Sequence, residues 1–159
     1  MRHFMDNSGR DVRVDMRELM NKSRVLKFSF DNELFQAREF CQTLAPGVHS
    51  ITSEECGRDD FEQGNLHLAF GSYKFWGQGR AAVTAADDRT DKRTCLLEFT
   101  FHFFDRYNWD VESEKKAKVA PGIYIQDKTM AKFHTQCLAK EYDLHGQLAH
   151  KVSWNYLWR

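Results

Sequence analysis

Residues 99–110, FTFHFFDRYNWD, place Asp105, Arg106, Tyr107, Asn108 and Asp110 directly after a run of aromatic side chains. Glu112 and Glu114 follow within a few positions, together with Lys115, Lys116 and Lys118. Carboxylate and amide oxygens at this density suit a hard cation such as magnesium or calcium. Guanidinium and ammonium groups beside them suit a phosphate. The two sets together predict hydrolysis of a phosphate ester or pyrophosphate, with Asp105 and Asp110 as metal ligands and Tyr107 donating a proton or a hydrogen bond. His102, three residues before the cluster, is a general-base candidate. The spacing lacks the glycine that an EF-hand needs at its sixth loop position, and no GxSxG, HExxH or phosphate-binding glycine loop occurs. The same residues also read as a charged bend at a strand end, with Tyr107 and Trp109 packed inward.

The elements that must carry this cluster follow from periodicity. Leu97, Phe99, Phe101 and Phe103 alternate with Glu98, Thr100, His102 and Phe104, which predicts a strand over residues 95–104. Asp15 with Glu18 predicts a capped helix running to residue 20. A longer helix is expected to start at Asp31 or Asn32, with Leu34, Ala37, Cys41 and Leu44 at helical spacing and Phe35 and Phe40 beside them, and to stop at Pro46 and Gly47. Short strands are expected at 48–52, 66–70, 80–85 and 123–125. A last helix is predicted from Asp127 to about residue 142, burying Met130, Phe133, Cys137 and Leu138 and ending at Gly146. His134 falls on that apolar stripe, where a packing role competes with a site role. An edge strand over 152–158 closes the chain. The order predicts an α+β fold: a mostly antiparallel, twisted, open half-barrel-like sheet with early helices and one late helix.

At 159 residues the chain fits one domain, and its 13 Phe, 5 Tyr and 4 Trp supply material for a core. The formal net charge is zero and no basic run occurs, which argues against a nucleic-acid partner. Cys41, Cys56, Cys95 and Cys137 stand far apart without a CxxC pair, so they are expected to be free and mostly buried. The N-terminal residues show no signal-peptide pattern, and no apolar run approaches the ~20 residues of a membrane span.

The order of segments resembles the activity domain of colicin M, and the colicin M-like toxin tips of contact-dependent and type VI effectors. His3-Phe4-Met5 followed by Asn7-Ser8-Gly9 is similar to that family's His-Tyr-Leu entry and its Gly-rich turn. Residues 65–83 resemble its glycine-containing paired strands. Asp105-Arg106-Tyr107-Asn108-Trp109 resembles its Asp-Lys-Tyr-Asp-Phe signature. Asp105 and Tyr107 match two signature positions; Asn108 stands where a second Asp is expected, and Glu114-Lys115 where a His-Arg pair is expected. Asn108 can accept and donate hydrogen bonds but takes no proton, and Lys115 loses the planar two-point grip of Arg.

The resemblance implies an antibacterial toxin that hydrolyses the phosphate linkage of lipid II, with magnesium as cofactor. Asp105, Tyr107, Asp110 and His102 would be catalytic, and Arg106, Asn108, Glu114, Lys115 and His134 would hold substrate. It further implies a lipid II or inner-membrane lipid partner, a cognate immunity protein and a delivery machinery. The site of action would be the periplasm of a target bacterium, reached by a specialised route. The 159 residues would form one toxin domain, the released or C-terminal part of a larger effector. Two other readings stay open. One is a non-enzymatic toxin that perturbs the inner membrane through Tyr73, Trp76, Trp154, Tyr156 and Trp158. The other is an immunity or adaptor protein.

Overall fold

The computed structural model describes residues 2–58, 70, 72–86, 89–109, 112, 116–120 and 122–157. Among these the chain is α+β, with a large open, mostly antiparallel sheet and four helices. The helices are α1 (Arg2–Met5), α2 (Met16–Lys22), α3 (Arg24–Gln42) and α4 (Asp127–Thr135). The strands are β1 (Val12–Val14), β2 (Gly47–Thr52), β3 (Cys56–Arg58), β4 (Tyr73–Val83), β5 (Lys92–Tyr107), β6 (Lys116–Ala120), β7 (Ile123–Gln126) and β8 (Tyr142–Leu157). The main sheet runs β1-β8-β5-β4-β2, with β3 also on β4; β6 and β7 form a separate antiparallel pair. β1 lies parallel to β8, Val12 opposite Leu144 and Val14 opposite Gly146.

Contacts divide the chain into two compact units. The first comprises Met1–Val14, Gly57–Lys74 and Phe103–Gly146. Its buried side chains include Phe4, Tyr73, Phe103, Asp105, Tyr107, Met130, Tyr142 and Leu144. The N-terminal segment is tied down by backbone bonds and not by apolar burial alone. Lys140 N donates to Phe4 O at 3.1 Å, and Asn7 Nδ2 donates to Cys137 O at 3.0 Å. Gly9, at φ 60°, lets the chain pass with its Cα against Lys140, whose Cδ lies 3.0 Å from where a Cβ would stand.

The second unit comprises Asp15–Cys56, Phe75–His102 and Gln147–Arg159. Phe30 of α3 packs on Phe99 and Phe101 of β5, with ring centroids 6.3 and 5.6 Å apart, and Phe75 stacks on Phe101. A polar relay crosses this packing: Gly77 N donates to Ser53 Oγ at 2.8 Å, and Ser53 Oγ donates to the buried Glu33 carboxylate at 2.7 Å.

Several expectations change. Asp15 caps α2 as expected, accepting from Arg17 N and Glu18 N. α3, however, begins at Arg24, not near residue 32: Ser23 caps it through the Leu26 N–H, and Asp31 is an interior residue paired with Lys27. The helix predicted over 127–142 ends at Thr135. Cys137 takes φ 57°, and Leu138 N and Ala139 N both turn back onto Phe133 O. Cys137 and Leu138 are exposed as a result, and so is His134. Tyr142 to Gly146 is strand because every second residue there is buried and β1 pairs alongside. The strand expected over 152–158 is the second half of the same β8. All four cysteines are free, but only Cys41 and Cys95 are buried. The strand expected over 66–70 lies outside the described residues, except for Phe70.

Candidate functional site

β5 alternates without interruption for 16 residues, and every odd position from Arg93 to Tyr107 is buried. The polar cluster is therefore not an appendage after the strand. Asp105 and Tyr107 belong to the strand itself and occupy its core-facing side, at 6% and 5% exposure. A two-residue period that brings Phe101 and Phe103 inward brings these two inward as well.

Around Tyr107 the first unit builds an aromatic box. Tyr142 stacks on the phenol ring with centroids 5.0 Å apart and planes at 13°; Phe4 lies at 5.7 Å and Trp109 at 5.9 Å, the latter edge-on. His3 meets the far side of the box, edge-on to Tyr142 at 4.5 Å, while its Nε2 bonds the Arg10 carbonyl at 2.8 Å.

Burial in this box decides the protonation states. It pushes the Asp105 carboxyl up to about 7; the Arg106 backbone N–H opposes the rise, and the nearby Asp143 carboxylate adds to it. Burial likewise pushes the Tyr107 phenol up to about 12, with Tyr142 adding to the rise. Tyr142 is raised by burial and then by the Asp105 charge. Near neutral pH, then, the site holds a carboxyl poised between its two forms beside phenols that keep their protons. The Trp109 indole pulls against the Tyr107 rise but does not reach hydrogen-bond geometry. Asp105 Oδ2, Tyr107 Oη and Trp109 Nε1 are all buried without a partner among the described residues. Each such atom costs roughly 1–3 kcal/mol in a finished core. Three within five residues single this place out as the candidate site. The bare Oδ2 is a hard oxygen donor of the kind a divalent cation takes. Asp110, the second expected ligand, lies outside the described residues.

The other expected residues are placed as follows. Arg106 projects from the opposite side of β5, 58% exposed, and pairs with Glu141 at 3.6 Å and Asp143 at 3.5 Å. Asn108 is exposed. His102 belongs to the second unit, on an even position of β5, where its ring lies flat on Trp76 at 4.9 Å. Gln147 Nε2 contacts its Nδ1 at 3.3 Å, and burial lowers its pKa. His134 is an exposed residue of α4. Glu114 and Lys115 lie outside the described residues.

Residues absent from the sequence reading complete the site. Tyr142, Glu141 and Asp143 sit where a helix tail was expected, and the period-2 burial of Tyr142, Leu144 and Gly146 was the signal that identified a strand instead. His3 and Phe4 were read only as an entry segment. On the solvent side, Asp11, Asp143 and His145 bring ligand atoms within 4.8 Å of one another. His145 and Asp11 are both exposed there, and Asp143 is already engaged by Arg106.

No helix among the described residues is long and apolar enough to cross a membrane. No protein-family model matches the chain, and no curated protein does. Among solved structures the chain is similar to a truncated form of the bacteriocin syringacin M from Pseudomonas syringae pv. tomato DC3000, with 12% identity over 98% of this chain and 57% of that one, at TM-score 0.44. A second structure of that bacteriocin matches with 17% identity over 97% and 50% of the two chains, at TM-score 0.39. Pectocin M2 matches with 12% identity over 76% and 38%, at TM-score 0.29. The chain thus spans about half the length of the syringacin M chains it matches.

Proposed function

We propose that this chain is the activity domain of a colicin M-like antibacterial toxin that hydrolyses the phosphate linkage of lipid II. The observation that carries the reading is the buried pair on one face of β5. Asp105 has a carboxyl at about 7 and a bare Oδ2, and the protonated Tyr107 has a bare hydroxyl. A diphosphate linkage asks for these two capacities: a group that activates water or holds a metal, and a neutral donor toward the oxygen that gathers charge.

Asp105 in its carboxylate form takes the first role, and Tyr107 donates its hydroxyl proton in a hydrogen bond to a phosphate oxygen. Magnesium fits Asp105, because this ion is commonly held by one or two carboxylates together with substrate phosphate oxygens. When bound it would neutralise phosphate charge. The aromatic box excludes water around the two oxygens and so strengthens both interactions. Action in the periplasm of a target cell, delivery by a specialised route and protection of the producer by an immunity protein belong to the same proposal. Of the aromatic residues of β4 named for membrane contact, Tyr73 is buried and Trp76 is half-buried with its ring on His102.

The purified chain incubated with lipid II and magnesium should release a pyrophosphate-linked muropeptide. Asp105→Asn and Tyr107→Phe should each lower the rate by at least about 100-fold, while both variants remain folded by circular dichroism. Wild-type activity should fall as pH drops below about 7. Activity that survives both substitutions would remove the site from the reaction.

A further inference from the structure

We propose that the cleft between α3 and the β2–β4 part of the main sheet is a binding site for a small organic ammonium ion. The buried Glu33 carboxylate takes the cationic head, and the apolar side chains around it take the body. This inference is independent of the lipid II reading, since every residue it uses belongs to the second unit and none takes part in the proposed hydrolysis.

The cleft follows from small residues placed where helix and sheet face each other. The inward positions of β4 carry Phe75 and then glycine at 77 and 79, so the sheet offers α3 no side chain at those two levels. A Cβ on Gly77 would stand 2.5 Å from the Phe99 ring and 3.1 Å from Glu33 Oε2. Glycine is therefore what lets ring and carboxylate close on the same spot. Between them and the helix lies a cavity of about 210 Å³, walled by buried Phe99, Gly77 and Glu33 and by the more exposed Ala37, Phe40 and Ile51. An apolar cavity of roughly 150 Å³ admits benzene, so this one has room for a ring with a short side arm.

Electrostatics choose the arm. Glu33 is 6% exposed. Ser53 Oγ accepts from Gly77 N at 2.8 Å, which turns its one proton to Glu33 Oε2 at 2.7 Å, nearer than the Glu54 carbonyl at 3.3 Å. That hydroxyl is the carboxylate's hydrogen-bond donor, and no cationic side chain pairs with Glu33 among the described residues. None lines the cavity either. A buried carboxylate is ordinarily paired with a cation, because its lost hydration is otherwise uncompensated. An ammonium ion supplies the missing charge and up to three N–H donors, for Glu33 Oε1 and the remaining lone pair of Ser53 Oγ. An anion would be repelled, and a neutral alcohol would bring a donor without the charge.

Benzylamine, protonated near neutral pH, serves as the probe and is titrated into the isotope-labelled full chain while amide chemical shifts are followed. Saturating shifts should appear at Ser53 and Gly77, with a Kd on the order of 1 mM. Benzyl alcohol and benzoate present the same ring and should bind at least about 10-fold more weakly. Glu33→Gln keeps the shape, removes the charge and should lose at least the same factor. Ala37→Leu leaves Glu33 in place, fills the cavity from a half-buried helix position and should abolish the shifts while the spectrum keeps its dispersion. Should Glu33→Gln fail to fold, the three ligands and Ala37→Leu decide the matter. Shifts that do not saturate by about 10 mM, equal binding of benzyl alcohol or benzoate, or unchanged binding in a folded variant would each overturn the proposal.

Discussion

Asp105→Asn should stabilise the protein in a way that grows with pH, even as it removes the proposed activity. The substitution keeps the side chain's shape and removes its charge. In the folded chain the Asp105 carboxyl ionises at about 7, against an ordinary value of 3.8. The folded state therefore holds a proton that the unfolded state releases, and stability falls as pH rises through that window, levelling off above about 7. At about 1.4 kcal/mol per pKa unit, the ionised form costs the fold about 4 kcal/mol at pH 8 and well under 1 kcal/mol at pH 4. The Asn variant carries no such dependence at this position.

Urea unfolding of both proteins at pH 4, 5, 7 and 8, in chelator, measures the difference directly. The gap between variant and wild type should widen by about 4 kcal/mol from pH 4 to pH 8, most of it between pH 5 and 7. His102, whose lowered pKa acts in the opposite direction, is present in both proteins and cancels. Magnesium at pH 8 should recover part of the wild-type loss and leave the variant unmoved, because a bound cation replaces the proton. A gap that stays flat within about 1 kcal/mol would mean that Asp105 meets solvent or a counter-charge, and the account of a poised carboxyl would fail with it.

Two further substitutions test the fold. Gly79→Ala should cost about 3 kcal/mol, because its Cβ would stand 2.6 Å from the Glu98 backbone oxygen, which cannot swing aside. Gly57→Ala, with nothing within 4 Å, should stay within about 0.5 kcal/mol of wild type in the same urea titration. Ser23→Ala should cost about 1 kcal/mol, read from the same midpoints, since Ser23 Oγ is the buried acceptor for the Leu26 N–H at the start of α3.

The aromatic alternation of residues 95–104 made β5 legible, because a strand with one buried face leaves a period of two in its sequence. The α+β class followed from the order of such signals. What local pattern did not supply was decided by partners distant in sequence. Tyr142 reads as a helix tail until Val12–Val14 is known to pair beside it. Ser23 caps as well as Asp31 or Asn32 by residue type, so local chemistry does not choose among them; Phe30 must lie on Phe99 and Phe101, and that demands a helix already formed at residue 30. The site was half legible for the same reason. Asp105 and Tyr107 stand in the sequence as chemistry, whereas the box that perturbs them comes from α1 and β8, more than 30 residues away on either side.

The placement of Asp105 is itself an argument for function. A stable strand would end its buried series at Phe103 and turn the following odd positions outward, or fill them with apolar side chains. β5 instead keeps its register for four more residues and buries a carboxyl and a phenol whose oxygens find no partner among the described residues. Valine at 105 and phenylalanine at 107 would satisfy the same alternation at lower cost. Burial pattern and apolar packing agree along the inward face from Cys95 to Phe103, and that face turns polar at Asp105 and Tyr107. The polar ligand proposed for these two side chains would meet their bare oxygens, and the pH experiment measures the cost of holding Asp105 without one.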